Sequence, residues 1–165
     1  MSRFELVSYE QWKKDCGLGG LSDGVLEKMY ELIQLPHQAT AASAGCDFFM
    51  PFSLNLTAGD KFRIATGIRW VCDDDRDKVL LIVPRSGLGF KYGIKLSNTV
   101  GVIDADYCDS DNEGHIIISL ENPSDQDVML ETGKPFAQGI VVKYEVPEGA
   151  ESGAARNGGF GSTDR

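Results

Sequence analysis

From about Glu31 to Val146 the chain runs as short apolar segments broken by turn chemistry, and no clear helical periodicity of twelve or more residues interrupts them. Candidate strands fall at Leu32 to Leu35, Asp47 to Met50, Phe62 to Ile64, Ile68 to Cys72, Val79 to Val83, Ile116 to Leu120, Val128 to Leu130 and Ala137 to Tyr144. Between them stand Ala58-Gly59-Asp60, the acidic run Asp73-Asp74-Asp75, Asn122-Pro123-Ser124 and Thr132-Gly133-Lys134, all residues that bend a backbone at little cost. Short strands joined this way do not build a parallel α/β sheet. They predict an all-β chain, a distorted jelly-roll sandwich or barrel.

The two ends read differently. Ser8-Tyr9-Glu10-Gln11 fits a capping box, and Ser22 followed by Leu26, Met29 and Tyr30 fits a second short helix. Residues 1–30 are therefore expected to be an N-terminal extension, helical in part, ahead of a β domain at 31–147. Residues 148–165 turn to Gly, Ala, Ser and charge, the composition of a flexible arm. That arm holds Arg156-Asn157-Gly158-Gly159-Phe160-Gly161-Ser162-Thr163. Glycines let backbone N–H groups approach an anion, Arg pairs with phosphate, and a lone Phe can stack on a base, so the arm reads as a lid over a nucleotide.

Charge and composition narrow the partners. A net charge of −9 opposes sequence-independent binding of nucleic acid, which depends on Lys and Arg neutralising phosphates. No apolar run reaches the roughly eighteen residues of a membrane span, and the first residues lack a secretory pattern, so a cytoplasmic protein is expected. Cys16, Cys46, Cys72 and Cys108 show no metal or disulfide spacing, and two histidines, His37 and His115, are too few for a His-rich centre.

Four further segments carry chemistry. Pro84-Arg85-Ser86-Gly87-Leu88-Gly89 follows an apolar strand, so Arg85 and the small residues behind it could face phosphate, or simply turn the chain. In Ser97-Asn98-Thr99-Val100-Gly101-Val102-Ile103-Asp104-Ala105-Asp106-Tyr107, Asn98 offers the donor and acceptor that a base edge requires. Asp104 closes an apolar pair and is expected at a strand end, where a carboxylate can take a proton from water. Asp47, in Ala44-Gly45-Cys46-Asp47, reads as a partly buried acid that pairs with Arg85 or holds a water on a metal. Gln138 is the polar insertion of the apolar strand after Gly133-Lys134-Pro135-Phe136-Ala137.

Taken in chain order, these four segments and the arm resemble the five motifs of the trimeric deoxyuridine triphosphatases (dUTPases), from Ala44 to Thr163. The resemblance implies a homotrimer of jelly-roll subunits with shared active sites that hydrolyses dUTP to dUMP and pyrophosphate with Mg²⁺. Such an enzyme limits uracil incorporation into DNA and supplies dUMP. It implies Asp104 as the base. Asn98 and the backbone of Val102 and Ile103 would read uracil, with Tyr107 under the deoxyribose. Arg85, Ser86, Gly87 and Gln138 would hold the phosphates. Asp47 would act on the metal through water, and Arg156, Phe160 and Gly161 would form the lid. Lys134-Pro135 departs from the family's acidic-Arg pair, and Cys108 to His115 replaces a shorter turn, an insertion whose acidic part, Asp109 to Glu113, could meet a regulatory protein partner. The related dCTP deaminases are disfavoured by Pro84-Arg85-Ser86-Gly87 and by the glycine-rich arm.

Overall fold

A computed structural model describes residues 1–73 and 77–150. Its strands are β1 (Ser2–Leu6), β2 (His37–Gln38), β3 (Cys46–Phe49), β4 (Leu54–Leu56), β5 (Lys61–Ala65), β6 (Ile68–Cys72), β7 (Lys78–Pro84), β8 (Lys95–Leu96), β9 (Gly101–Asp104), β10 (Ile117–Glu121), β11 (Val128–Leu130) and β12 (Pro135–Lys143). Three short helices join them, α1 (Tyr9–Asp15), α2 (Asp23–Glu31) and α3 (Ser86–Tyr92), with a single 3-10 turn at Tyr107–Asp109. A five-stranded sheet runs in the order β2-β3-β12-β7-β9, a three-stranded sheet in the order β5-β10-β8, and β1-β6 and β11-β4 form pairs. All of these pairings are antiparallel. The chain is an all-β jelly roll.

One core joins the two larger sheets. Phe48, Leu80 and Ile82 of the first and Ile64, Ile118 and Leu120 of the second are all at most 3% exposed and share one buried cluster. Side chains alternate across a sheet, so Val79, Leu81 and Val83 must lie on the opposite face of β7 from Leu80 and Ile82. All three are half-buried on that outward face, where an apolar row continues through Ile140. Every proposed group on β3, β9 and β12 is placed by its register with this row.

The N-terminal extension begins with a strand, β1, which the helical expectation for residues 1–30 did not include. Phe4 and Leu6 alternate with Arg3 and Glu5, and β1 pairs along all of β6, with Arg69 of β6 bonded to Glu5. The two helices do form. Ser8 Oγ accepts from the Gln11 amide as a capping residue should. Trp12, fully buried, donates its indole N–H to the Ala65 carbonyl at 3.0 Å, and Val7, Cys16, Leu26 and Phe52 close a second core around it. The expected strand at Leu32 to Leu35 is absent, because α2 carries through Glu31 and Leu32 caps it.

Candidate active site

Strand register assembles one group of residues at the end of β7. Asp47 of β3 lies opposite Gln138 of β12, Gln138 opposite Val83, and Ala137 opposite Pro84. The chain leaves β7 at Arg85, whose Nε donates to Asp47 Oδ1 at 3.1 Å. Asp47 is 8% exposed, and burying a carboxylate requires such a partner. This is the ion pair expected as one reading of Asp47. A guanidinium has five N–H donors and this bond uses one, so Arg85, half-exposed, retains donors for an anion. Gln138 Nε2 donates to the Pro84 carbonyl at 3.3 Å. Its Oε1 sits where a Cβ on residue 45 would be, at 2.7 Å, which is why Gly45 stands there. The sequence reading missed Gly45 as part of the site; its place two residues before Asp47 was the available signal.

After Arg85 the chain turns into α3, seven residues long, where the sequence reading offered a phosphate-facing segment or a simple turn. Ser86 and Gly87, both exposed, form its first turn, and their N–H groups have no acceptor within the helix. Gly93 ends the helix in the left-handed region at φ 69°.

A second group lies along β9. This strand pairs only with β7 among the described residues, so alternate N–H and C=O groups of residues 101–104 point away from the sheet. Val102 is 60% exposed, Ile103 is half-buried, and Asp104 is exposed at the strand's end, as the apolar pair before it predicts. Asn98 lies in the turn between β8 and β9. It borders a cavity of about 280 Å³ with Arg63, Ser97, Ile117 and Ser119. Arg63 gave no signal in sequence, because a cation at an outward strand position reads as a solvated face. Tyr107 starts the 3-10 turn and is 6% exposed.

These two groups share a face but do not meet. Asp104 pairs with Val79 and Gln138 with Val83, so both side chains lie outward with the apolar row of β7. Four residues of strand separate them, about 13 Å along β7, on opposite sides of it. Arg156, Phe160 and Gly161 fall outside the described residues. So do Asp74 and Asp75 of the expected acidic turn. No cluster of three or more His, Cys, Asp or Glu able to hold a metal occurs among the described residues, nor does any helix long and apolar enough to cross a membrane. Within the segment Cys108 to His115, Asp109 and Asp111 are exposed, while the rest is held inward. Ser110, Gly114 and His115 are buried, and Glu113 binds Ser8.

The described residues thus form an all-β jelly roll with an Arg-carboxylate corner and a carboxylate-ended edge strand. The dUTPase family model matches residues 31–164. The chain belongs to the dUTPase family. It is 37% identical to the deoxyuridine 5'-triphosphate nucleotidohydrolase of Thiobacillus denitrificans over 139 residues, covering 80% of this chain and 91% of that one. It is 36% identical to that of Lactococcus lactis subsp. lactis over 134 residues, covering 79% and 88%. The Streptococcus mutans dUTPase structure aligns over 89% of this chain and 99% of its own, with 31% identity and a TM-score of 0.66. A dUTPase from phage phi11 of S. aureus, 18% identical with a TM-score of 0.65, shares the fold.

Proposed function

We propose that this chain is a dUTP diphosphatase whose active site is completed between copies of itself. The observation that carries the shared site is the placement of Asp104 about 13 Å along β7 from the Asp47–Arg85–Gln138 corner, on one outward sheet face. One triphosphate held at the corner cannot put its α-phosphate beside Asp104 of the same chain. A second copy laid on the half-buried row Val79, Leu81, Val83 and Ile140 would bring its β9 to the corner and cover that apolar face. A closed ring of such head-to-tail contacts is the homotrimer that the family resemblance implies.

In this reading the open edge of β9, with Asn98, bonds the uracil edge, and cytosine fails because its exchanged donor and acceptor leave buried groups unpaired. Tyr107 forms the wall under the deoxyribose. Arg85, Gln138 and the Ser86 and Gly87 amides hold the phosphates. Asp104 takes a proton from a water whose oxygen bonds to the α-phosphorus, while the bond from that phosphorus to the bridging oxygen breaks and pyrophosphate leaves. Arg156 would neutralise the terminal phosphates, and Phe160 and Gly161 would close over the base. Asp47, the carboxylate at the corner, would hold a phosphate-bound Mg²⁺ through a water and not directly, since one carboxylate does not make a cage for that ion. When bound, that ion supplies charge neutralisation on the phosphate oxygens. The products place the enzyme between nucleotide clearance and the supply of dUMP.

Pyrophosphate release with Mg²⁺ tests the activity, with dUTP, dCTP, dTTP and UTP side by side. Release from dUTP alone is expected, and silence on all four overturns the reading. Mixing Asp104→Asn and Arg85→Ala chains, unfolded and refolded together, tests the shared site. Random assortment should restore about a quarter of the sites. No restoration would place each site within one chain.

A further inference from the structure

The segment from Tyr107 to His115 binds the proposed sugar-facing ring on one side and the N-terminal extension on the other. Tyr107 Oη donates to the His115 carbonyl at 3.1 Å and accepts from Asn112 Nδ2 at 2.9 Å. Asn112 is fixed in turn, since its Oδ1 accepts from the Gly114 amide and its carbonyl from the His115 amide. Gly114 holds φ 72°, and a Cβ there would strike the Cys108 backbone, so this loop has one shape.

The far side of the loop is clamped. The fully buried His115 ring contacts Asp15 Oδ2 through Nδ1 at 2.6 Å and accepts from the Gly67 amide through Nε2 at 2.9 Å. The amide fixes the tautomer: Nε2 must be bare, so Nδ1 carries the proton and donates to Asp15. Asp15 is the last residue of α1 and also accepts from Gln11 Nε2 at 2.6 Å. Glu113 accepts from both the amide and the hydroxyl of Ser8, the residue that caps the same helix. Both ends of α1 therefore grip the loop that carries the partners of the Tyr107 phenol.

We propose that Asn112, His115 and Asp15 are positioning residues for Tyr107, so that the N-terminal helix sets how tightly the site excludes a 2′-hydroxyl. This rests on the reading of Tyr107 as the wall under the deoxyribose. None of the three residues touches the substrate in this arrangement. Their effect is on where the ring stands, and it should reach the sugar preference before it reaches turnover. The extension thereby acquires a role in specificity beyond packing.

The test compares kcat/KM for dUTP and UTP in purified full-length variants, with thermal midpoints recorded alongside. Asn112→Ala and Asp15→Ala should each lower the dUTP/UTP ratio by about three- to tenfold, the worth of one buried hydrogen bond, with kcat for dUTP changed less than the ratio. Asp15→Asn retains an oxygen that can accept from Nδ1–H, and it should restore most of the ratio. Tyr107→Phe keeps the ring's volume while losing both phenol bonds, so it remains informative even if Asp15→Ala does not fold, and it should lower the ratio similarly. Tyr107→Ala separates the two layers of the argument. A ratio that falls in Tyr107→Ala but holds in Asn112→Ala and Tyr107→Phe overturns the positioning role and leaves the wall. A ratio unmoved in Tyr107→Ala overturns both.

Discussion

The corner at the end of β7 and the edge strand β9 solve opposite problems. At the corner the polar groups are closed on one another: Arg85 on Asp47, and Gln138 on the Pro84 carbonyl over the bare Cα of Gly45. Along β9 the backbone edge faces outward, Val102 is exposed, and Asp104 stands at the strand's end. A closed corner is stiff before a ligand arrives, which suits the holding of phosphates, because little ordering then opposes binding. An open edge is specific only once something covers it. Under the proposed shared site, the difference means that a subunit folds completely while building two unlike halves, each completed by a neighbour.

The largest effect should come from the open half. Asp104→Asn removes the proposed proton acceptor while keeping the side chain's shape, so single-turnover rates should fall at least about a hundredfold while dUTP affinity is kept. A near-normal rate would take the chemistry away from β9. The closed half should answer differently. In Gly45→Ala the new Cβ displaces Gln138 Oε1 from a position 2.7 Å away. Since that oxygen ends a flexible side chain, stability should barely change, whereas KM for dUTP should rise about tenfold as a phosphate contact is lost. A fall in kcat with KM unchanged would show that Gln138 acts on the reacting bond instead.

How much of this the sequence discloses depends on the range of the contact. The positions of Asp47, Arg85 and Asp104 were legible because each stands at the start or end of an apolar run, and that of Gln138 because it is the polar insertion within one. The strands Ile68–Cys72 and Val128–Leu130 were read with their observed bounds. β1 was missed although its residues alternate, since its pairing with β6 lies more than sixty residues away and five residues alone carry a weak signal. α3 was missed because Ser86-Gly87-Leu88-Gly89 has poor helix propensity, and the end of β7 and Gly93 set it instead. The clamp on Tyr107 was invisible for the same reason: Asp15 and His115 are 100 residues apart. In the acidic segment Asp109 and Asp111 are exposed, and only the fold shows that Glu113 binds the capping Ser8.

That clamp gives the smallest prediction and the one most sensitive to conditions. Burial pushes the His115 ring below its ordinary value, and the Asp15 bond opposes this only in part, with Glu113 also facing the ring. Protonation would also set an N–H of Nε2 against the Gly67 amide. The unfolded chain takes up this proton as pH falls below about 6.5, whereas the folded chain resists it until a lower pH. Between those two values the unfolded state binds more protons, so stability rises with pH there, is fully present above about 6.5 and drains as the solution is acidified. The Glu113 carboxyl, held low by the Ser8 hydroxyl and amide, drains separately, below about 4.3. The thermal midpoint should therefore fall between pH 7.5 and 5.5, ahead of the carboxylate window. His115→Phe, less stable at every pH because it leaves the Gly67 amide unpaired and Asp15 with Gln11 alone, should show a flatter slope over the same range. An equally steep slope in that variant would move the acid sensitivity away from the clamp, and would weaken the contrast between a loop held from behind and an edge strand paired along one side with β7.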